Sequence, residues 1–361
     1  MCLVAVGPGC ATGGDGSDTG ENSGNSLTNG GGDGDAGNGD DAGDDSGGSS
    51  GDNGTTSGSN GKSGSSSSSG GSKGSSGSTT TTKKDAGGGQ SVVEDSSGSD
   101  PTMLPTVMGS CPTFAASSGG TITVSAGGGT IQANVWAGSA TGGPLIIYWH
   151  GTASSPSAEV PISFDTNALA TAGGMVVGFV SSSRTGATTG DTGDAVWYTS
   201  DGAFADQVVA CAIQQKRIDP RHIHTAGYSA GGLQTVWMWF ARSGYLASVI
   251  SYSGGDSLIN KAAMQDPAHP PPAIAAHGAM GSDQLVLDFA QASATWEGDI
   301  KTAGGFSIDC NDGGSHLDFF TKRAPPLKPV ALQFFQDHPY GVKPEPYTTL
   351  PSGFPTYCKI D

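Results

Sequence analysis

No run of apolar residues is long enough to span a bilayer, and neither a strand-to-helix dinucleotide fingerprint nor a P-loop occurs. These absences argue against a helical membrane protein, a nicotinamide enzyme and a nucleotide triphosphatase. Basic side chains are scarce: 16 Lys/Arg stand against 33 Asp/Glu, a formal net charge of −17. Without a basic stripe to neutralise phosphates, nucleic acid is not an expected partner. The six cysteines contain no CxxC pair, so no thiolate metal site is expected.

Large apolar residues are almost missing from the first hundred positions, which are Gly, Ser, Asp, Asn and Thr. Such a stretch cannot bury enough surface to offset the entropy of ordering it, so residues 11–110 are expected to be a disordered linker. They are also the more acidic part: residues 1–100 hold 14 Asp/Glu and 4 Lys/Arg, the rest 19 and 12. A self-repelling, solvated spacer is the simplest reading. Ahead of it, "MCLVAVGPGC" places Cys10 after a short apolar run, as in the end of a bacterial lipoprotein signal, although no basic residue precedes the run. Export to the cell surface or beyond, with membrane attachment through a lipidated Cys10, is the expectation.

From about residue 101 aromatic and branched residues appear, and about 250 residues remain, enough for one sizeable core. "TITVSA" and "TIQANVW" read as an opening strand pair, and "PLIIYWHG" (144–151) as a strand buried on both faces. Further strands are expected at 175–180, 222–227, 247–253, 272–278 and 305–310, with helices at 202–217, 229–243, 284–303 and 328–337. This alternation predicts an α/β fold: a doubly wound, mostly parallel sheet with helices on both faces, spanning 111–361 as one monomeric domain. In such sheets chemistry gathers at the carboxyl ends of the strands.

One of those ends carries Gly227-Tyr228-Ser229-Ala230-Gly231, a GxSxG sequence between a strand and a helix. Glycines on both sides of a serine keep side chains out of a tight turn and lift the hydroxyl above the sheet, the geometry of a nucleophile elbow. A weak hydroxyl needs a base, and His316 follows the last expected strand in a Gly/Asp-rich loop whose flanks predict an exposed position. The orienting acid should end the preceding strand: Asp283 sits at a loop-to-helix junction, whereas Asp288 falls inside the expected helix and would point away. For the oxyanion, His150-Gly151 ahead of Thr152 resembles an HG turn, so the backbone amides of Thr152 and Ala230 are the expected donors. None of this needs a metal or cofactor.

With these motifs in place, residues 111–361 resemble the α/β-hydrolase group containing secreted polyhydroxybutyrate depolymerase-like proteins and the feruloyl or acetylxylan esterases of carbohydrate esterase family 1. "YWHGT", "IDPRHIHTAGYSAGG" and the segment from His277-Gly278 to Asp283 carry the likeness, followed by the glycine-rich loop with His316. Four residues separate that HG pair from Asp283, where many relatives have fewer. The resemblance implies an exported serine esterase acting on a polyester or on acylated plant polysaccharide. A non-catalytic surface binding or adhesion protein on a hydrolase scaffold is the alternative. Trp149, Trp197, Trp237 and Trp239 fall near strand ends or the elbow helix, where an aromatic face would suit an acyl group or a sugar, but Trp237 and Trp239 are two apart on a helix, so at least one of them is expected to pack in the core or lie on the surface. Export implies disulfides among Cys111, Cys211, Cys310 and Cys358, and Cys111 with Cys358 would close the longest loop.

Overall fold

The structure, a computed structural model, describes residues 99–180, 197–256 and 261–361. Cys10, the linker up to residue 98 and most of the polar loop at 181–201 lie outside the described residues. The chain opens with a hairpin of β1 (Ser117–Ala126) and β2 (Gly129–Ala137), whose turn residues Gly127 and Gly128 both have positive φ. Six parallel strands follow: β3 (Gly143–Trp149), β4 (Met175–Phe179), β5 (Ile218–Tyr228), β6 (Ser248–Tyr252), β7 (Ala273–His277) and β8 (Ser307–Asn311). A short β9 (Cys358–Ile360) pairs antiparallel with β8. Among the described residues all belong to one sheet, ordered β1-β2-β4-β3-β5-β6-β7-β8-β9.

β3 shows why two helical layers form. Its side chains are all buried and alternate in direction. Leu145, Ile147 and Trp149 join one core, and Ile146 and Tyr148 the other. The helices are α1 (Pro156–Ser163), α2 (Thr166–Thr171), α3 (Gly202–Gln214), α4 (Ala230–Ala241), α5 (Phe289–Thr302) and α6 (Ala324–Asp337). Phe204, Val236 and Trp296 bring α3, α4 and α5 onto the first face; Val160, Leu169 and Phe334 bring α1, α2 and α6 onto the second. β3 lies between β4 and β5, so the sheet reverses its direction of growth there. The carboxyl end of that switch point is where a doubly wound sheet opens a crevice.

Several expectations need correction. The helix expected at 284–303 begins only at Phe289, and Asp288 is its N-cap, accepting from the Gln291 amide at 3.0 Å. α6 starts at Ala324, four residues before its expected start, because Pro325 and Pro326 occupy a first turn whose N–H groups have no helical partner. Proline similarly disguised α1, which opens on Pro156. The favoured Cys111 to Cys358 bridge does not form: the pairs are Cys111–Cys211 and Cys310–Cys358. Loop length measures benefit, whereas bonding requires adjacency, and Cys358 sits opposite Cys310 in the β8-β9 ladder. Residues 99–110, assigned to the linker on composition, hydrogen-bond to the domain: Met103 N–H donates to the Gly244 carbonyl and Met108 N–H to Gln207 Oε1.

Candidate active site

Ser229 follows the last residue of β5 with φ 56° and ψ −120°, a conformation that β-carbon sterics disfavour outside glycine. Its neighbours explain how the turn survives. A Cβ on Gly227 would collide with the carbonyls of Trp149 and Gly231, and one on Gly231 with the Trp149 carbonyl. The Ser229 amide donates to the Tyr252 carbonyl at 2.9 Å, tying the elbow to β6. Only 8% of the serine is exposed.

The structure brings the three expected side chains into one line. His316 Nε2 lies 2.8 Å from Ser229 Oγ, and His316 Nδ1 lies 2.7 Å from Asp283 Oδ1. With Nδ1–H donating to the carboxylate, Nε2 is left to accept the serine proton. The histidine departs from expectation in one respect: it is buried, at the start of a 3-10 turn (His316–Phe320), and its ring is stacked between Phe289 and Tyr228 at 4.2 and 5.1 Å. Tyr228 further donates its hydroxyl to the His316 carbonyl at 2.9 Å. Asp283 Oδ2 accepts from the Gly278 amide at 2.8 Å and Ser253 Oγ at 3.0 Å, and Arg323 Nη1 stands 3.5 Å away. Burial opposes ionisation of Asp283, but the His316 hydrogen bond, the Arg323 charge and the Gly278 amide outweigh it and hold the carboxyl below its usual range. Asp288, on its helix cap, touches neither histidine nor serine.

Arg323 and Ser253 had no signal in the sequence. Arg323 is fully buried, forks onto Asp312 at 3.0 and 3.1 Å, and donates to Ser253 Oγ and to the Ser315 carbonyl. One guanidinium thereby joins the acid to the loop that carries His316.

On the other side of Ser229 lies the HG turn. A Cβ on Gly151 would come within 3.3 Å of Ser229 Cβ and 2.8 Å of the Tyr228 ring, so only glycine allows that approach. The Gly151 amide is engaged by Glu159 Oε1 at 3.1 Å. Among the described residues, the amides of Thr152 and Ala230 donate to no backbone carbonyl, and these are the two expected oxyanion donors. Glu159, on α1, was also not foreseen. It is fully buried and accepts from Tyr148 Oη at 2.9 Å, and burial pushes its carboxyl up to about 7. His150 donates from Nδ1 to the Gly151 carbonyl at 2.7 Å, with burial lowering its pKa, so the ring serves the turn as a neutral group.

The tryptophans do not present aromatic faces as expected. Trp149, Trp197 and Trp239 are fully buried. Trp197 Nε1 instead donates to the His150 carbonyl at 2.8 Å and so buttresses the HG turn, while Trp237 lies under Arg242. Five of the exposed large apolar side chains lie on the loops that carry the acid and the histidine: Met280, Leu285 and Val286 on the acid loop, and Leu317 and Phe320 beside His316, exposed by 40 to 79%; Met103, Leu104 and Met108 are exposed on the segment before β1.

No family model and no curated protein matches the chain. Among solved structures, native pOPH is similar with a TM-score of 0.55 at 17% identity, covering 70% of this chain and 97% of that one. Native sOPH is similar with a TM-score of 0.52 at 20% identity, again covering 70% and 97%. At that distance likeness speaks for architecture, and with the strand order and the elbow it gives this chain the α/β-hydrolase fold.

Proposed function

We propose that this protein is a serine esterase. The observation that carries the reading is the unbroken line from Asp283 through His316 to Ser229, with contacts of 2.7 and 2.8 Å, on a serine held at positive φ. Ser229 Oγ attacks the ester carbonyl carbon as its proton passes to His316 Nε2. The carbonyl oxygen becomes an oxyanion that the Thr152 and Ala230 amides receive. Collapse breaks the carbon–oxygen bond to the alcohol, which leaves with the proton from Nε2. Water then repeats the attack on the acyl-enzyme with His316 as base, releasing the acid and restoring Ser229.

For the substrate, the exposed Met280, Leu285 and Val286 on the acid loop and Leu317 and Phe320 beside His316 favour an apolar polyester over a hydrated polysaccharide, since exposed apolar side chains on the loops of a site suit an apolar partner. Export, with Cys10 as an anchor and the Gly/Ser/Asp segment as a spacer, would place the enzyme where such polymers occur.

Ser229→Ala and His316→Ala should each lower turnover of a short-chain p-nitrophenyl ester by on the order of 10⁴-fold, and the double variant should be little worse than either. Full activity of Ser229→Ala in contaminant-free protein would end the enzymatic reading and leave a binding protein. A panel of polyhydroxybutyrate, methyl ferulate and acetylated xylan then separates the substrate classes.

A further inference from the structure

A second histidine meets two carboxyl groups behind the acid loop. His277 ends β7, Glu297 lies on α5 and Asp309 on β8, and each offers one donor atom within 4.8 Å of the others. The histidine is oriented from behind: Nδ1–H donates to the Gly278 carbonyl at 2.7 Å, which turns Nε2 toward Asp309 Oδ1 at 3.1 Å. Lys359 Nζ takes the other oxygen of Asp309 at 3.2 Å, leaving Oδ1 facing the cluster. Glu297 is 8% exposed, and its buried Oε1 has no hydrogen-bond partner among the described residues. A carboxyl oxygen removed from water without a donor is costly, and such an atom calls for a partner.

We propose that His277, Glu297 and Asp309 bind a zinc ion through Nε2 and one oxygen of each carboxylate, with water completing the coordination. The donor set fits: zinc takes imidazole and carboxylate ligands in fours, whereas calcium asks for six to eight oxygens. The two carboxylates balance the charge of the ion. On binding, the proton shared by Nε2 and Asp309 Oδ1 and the proton that burial favours on Glu297 both leave to solvent, and Glu297 Oε1 gains the partner it lacks. A ligating histidine whose other nitrogen donates to a backbone carbonyl is the arrangement that fixes the ring for metal. The ion would join β7, α5 and β8. It would also steady Gly278, the neighbour of His277, whose amide holds Asp283.

The test uses the full chain with its disulfides formed, stripped with chelator, and reads binding rather than turnover. Zinc should raise Tm by about 5 °C, saturating at one ion per chain, and calcium should not. Cobalt in place of zinc should give the visible absorption of a low-coordinate nitrogen and oxygen site. Glu297→Gln and His277→Gln should abolish both signals, with circular dichroism confirming that the variants fold; Asp309→Asn replaces either one that does not. Two results would overturn the proposal: no zinc shift and no cobalt spectrum in the wild-type protein, or signals undiminished in folded variants, which would put the ion elsewhere on the chain. Either leaves the Ser229 reading untouched, because no measurement here depends on ester turnover.

Discussion

On one side of Ser229, the Asp283 carboxylate accepts from His316, Gly278 and Ser253 with Arg323 close by; on the other, the amides of Thr152 and Ala230 have no backbone acceptor among the described residues. On the serine-esterase reading proposed above, the contrast follows from what each side would have to do. A base has to be held in one tautomer before substrate arrives, so its acid is saturated in the resting state. An oxyanion hole has to bind charge that exists only in the transition state, so its donors stay open and are fixed from beneath. Glu159 on the Gly151 amide and Trp197 on the His150 carbonyl do that fixing.

The strongest way to break this division is Asp283→Asn. The asparagine can still accept from Gly278 and Ser253, so the fold should persist, but the imidazole loses its charged partner and turnover should drop by about 10⁴-fold with Tm little changed. A loss under tenfold, measured as kcat on folded protein, would mean that the acid–base side is not organised around Asp283.

Glu159→Gln probes the opposite side through pH. Burial raises the Glu159 pKa from 4.5 to about 7, so the native state holds its proton where the unfolded chain has released it. The stabilisation from this group is therefore complete below about pH 4.5 and lost as pH rises through about 7. Glutamine cannot titrate, so the variant should gain on the wild type by on the order of 1–3 kcal/mol across that interval, measured by urea unfolding at both ends. A difference independent of pH would show that Glu159 titrates as an ordinary carboxyl.

The smallest effect is expected from Asp288→Asn. Asparagine caps a helix about as well as aspartate, so stability should change by no more than a few tenths of a kcal/mol and turnover by less than about twofold. A collapse of activity here, with Asp283→Asn near neutral, would exchange the roles of the two aspartates.

The elbow was legible because its chemistry is local: GxSxG after an apolar strand allows few conformations, and each of the strands expected from runs such as "PLIIYWHG" forms. The order serine, acid, histidine was legible for the same reason, as each lies just beyond a strand. Proline concealed α1 and the first turn of α6, since its cost depends on helix position rather than on its presence.

Residue order alone thus determined the α/β class, the strand succession and the serine turn on which the proposed nucleophile sits, all of which depend on neighbours a few positions apart. Tertiary structure decided what depends on register between distant strands. It started α5 at an Asp288 cap rather than at residue 284, and chose Cys310 over Cys111 as the partner of Cys358 by laying β9 along β8. It buried three of the four tryptophans and set Glu159 and Arg323 beneath the site. It also gathered His277, Glu297 and Asp309 from β7, α5 and β8. Those meetings are fixed by which elements pack together, and a single sequence records that only after it has folded.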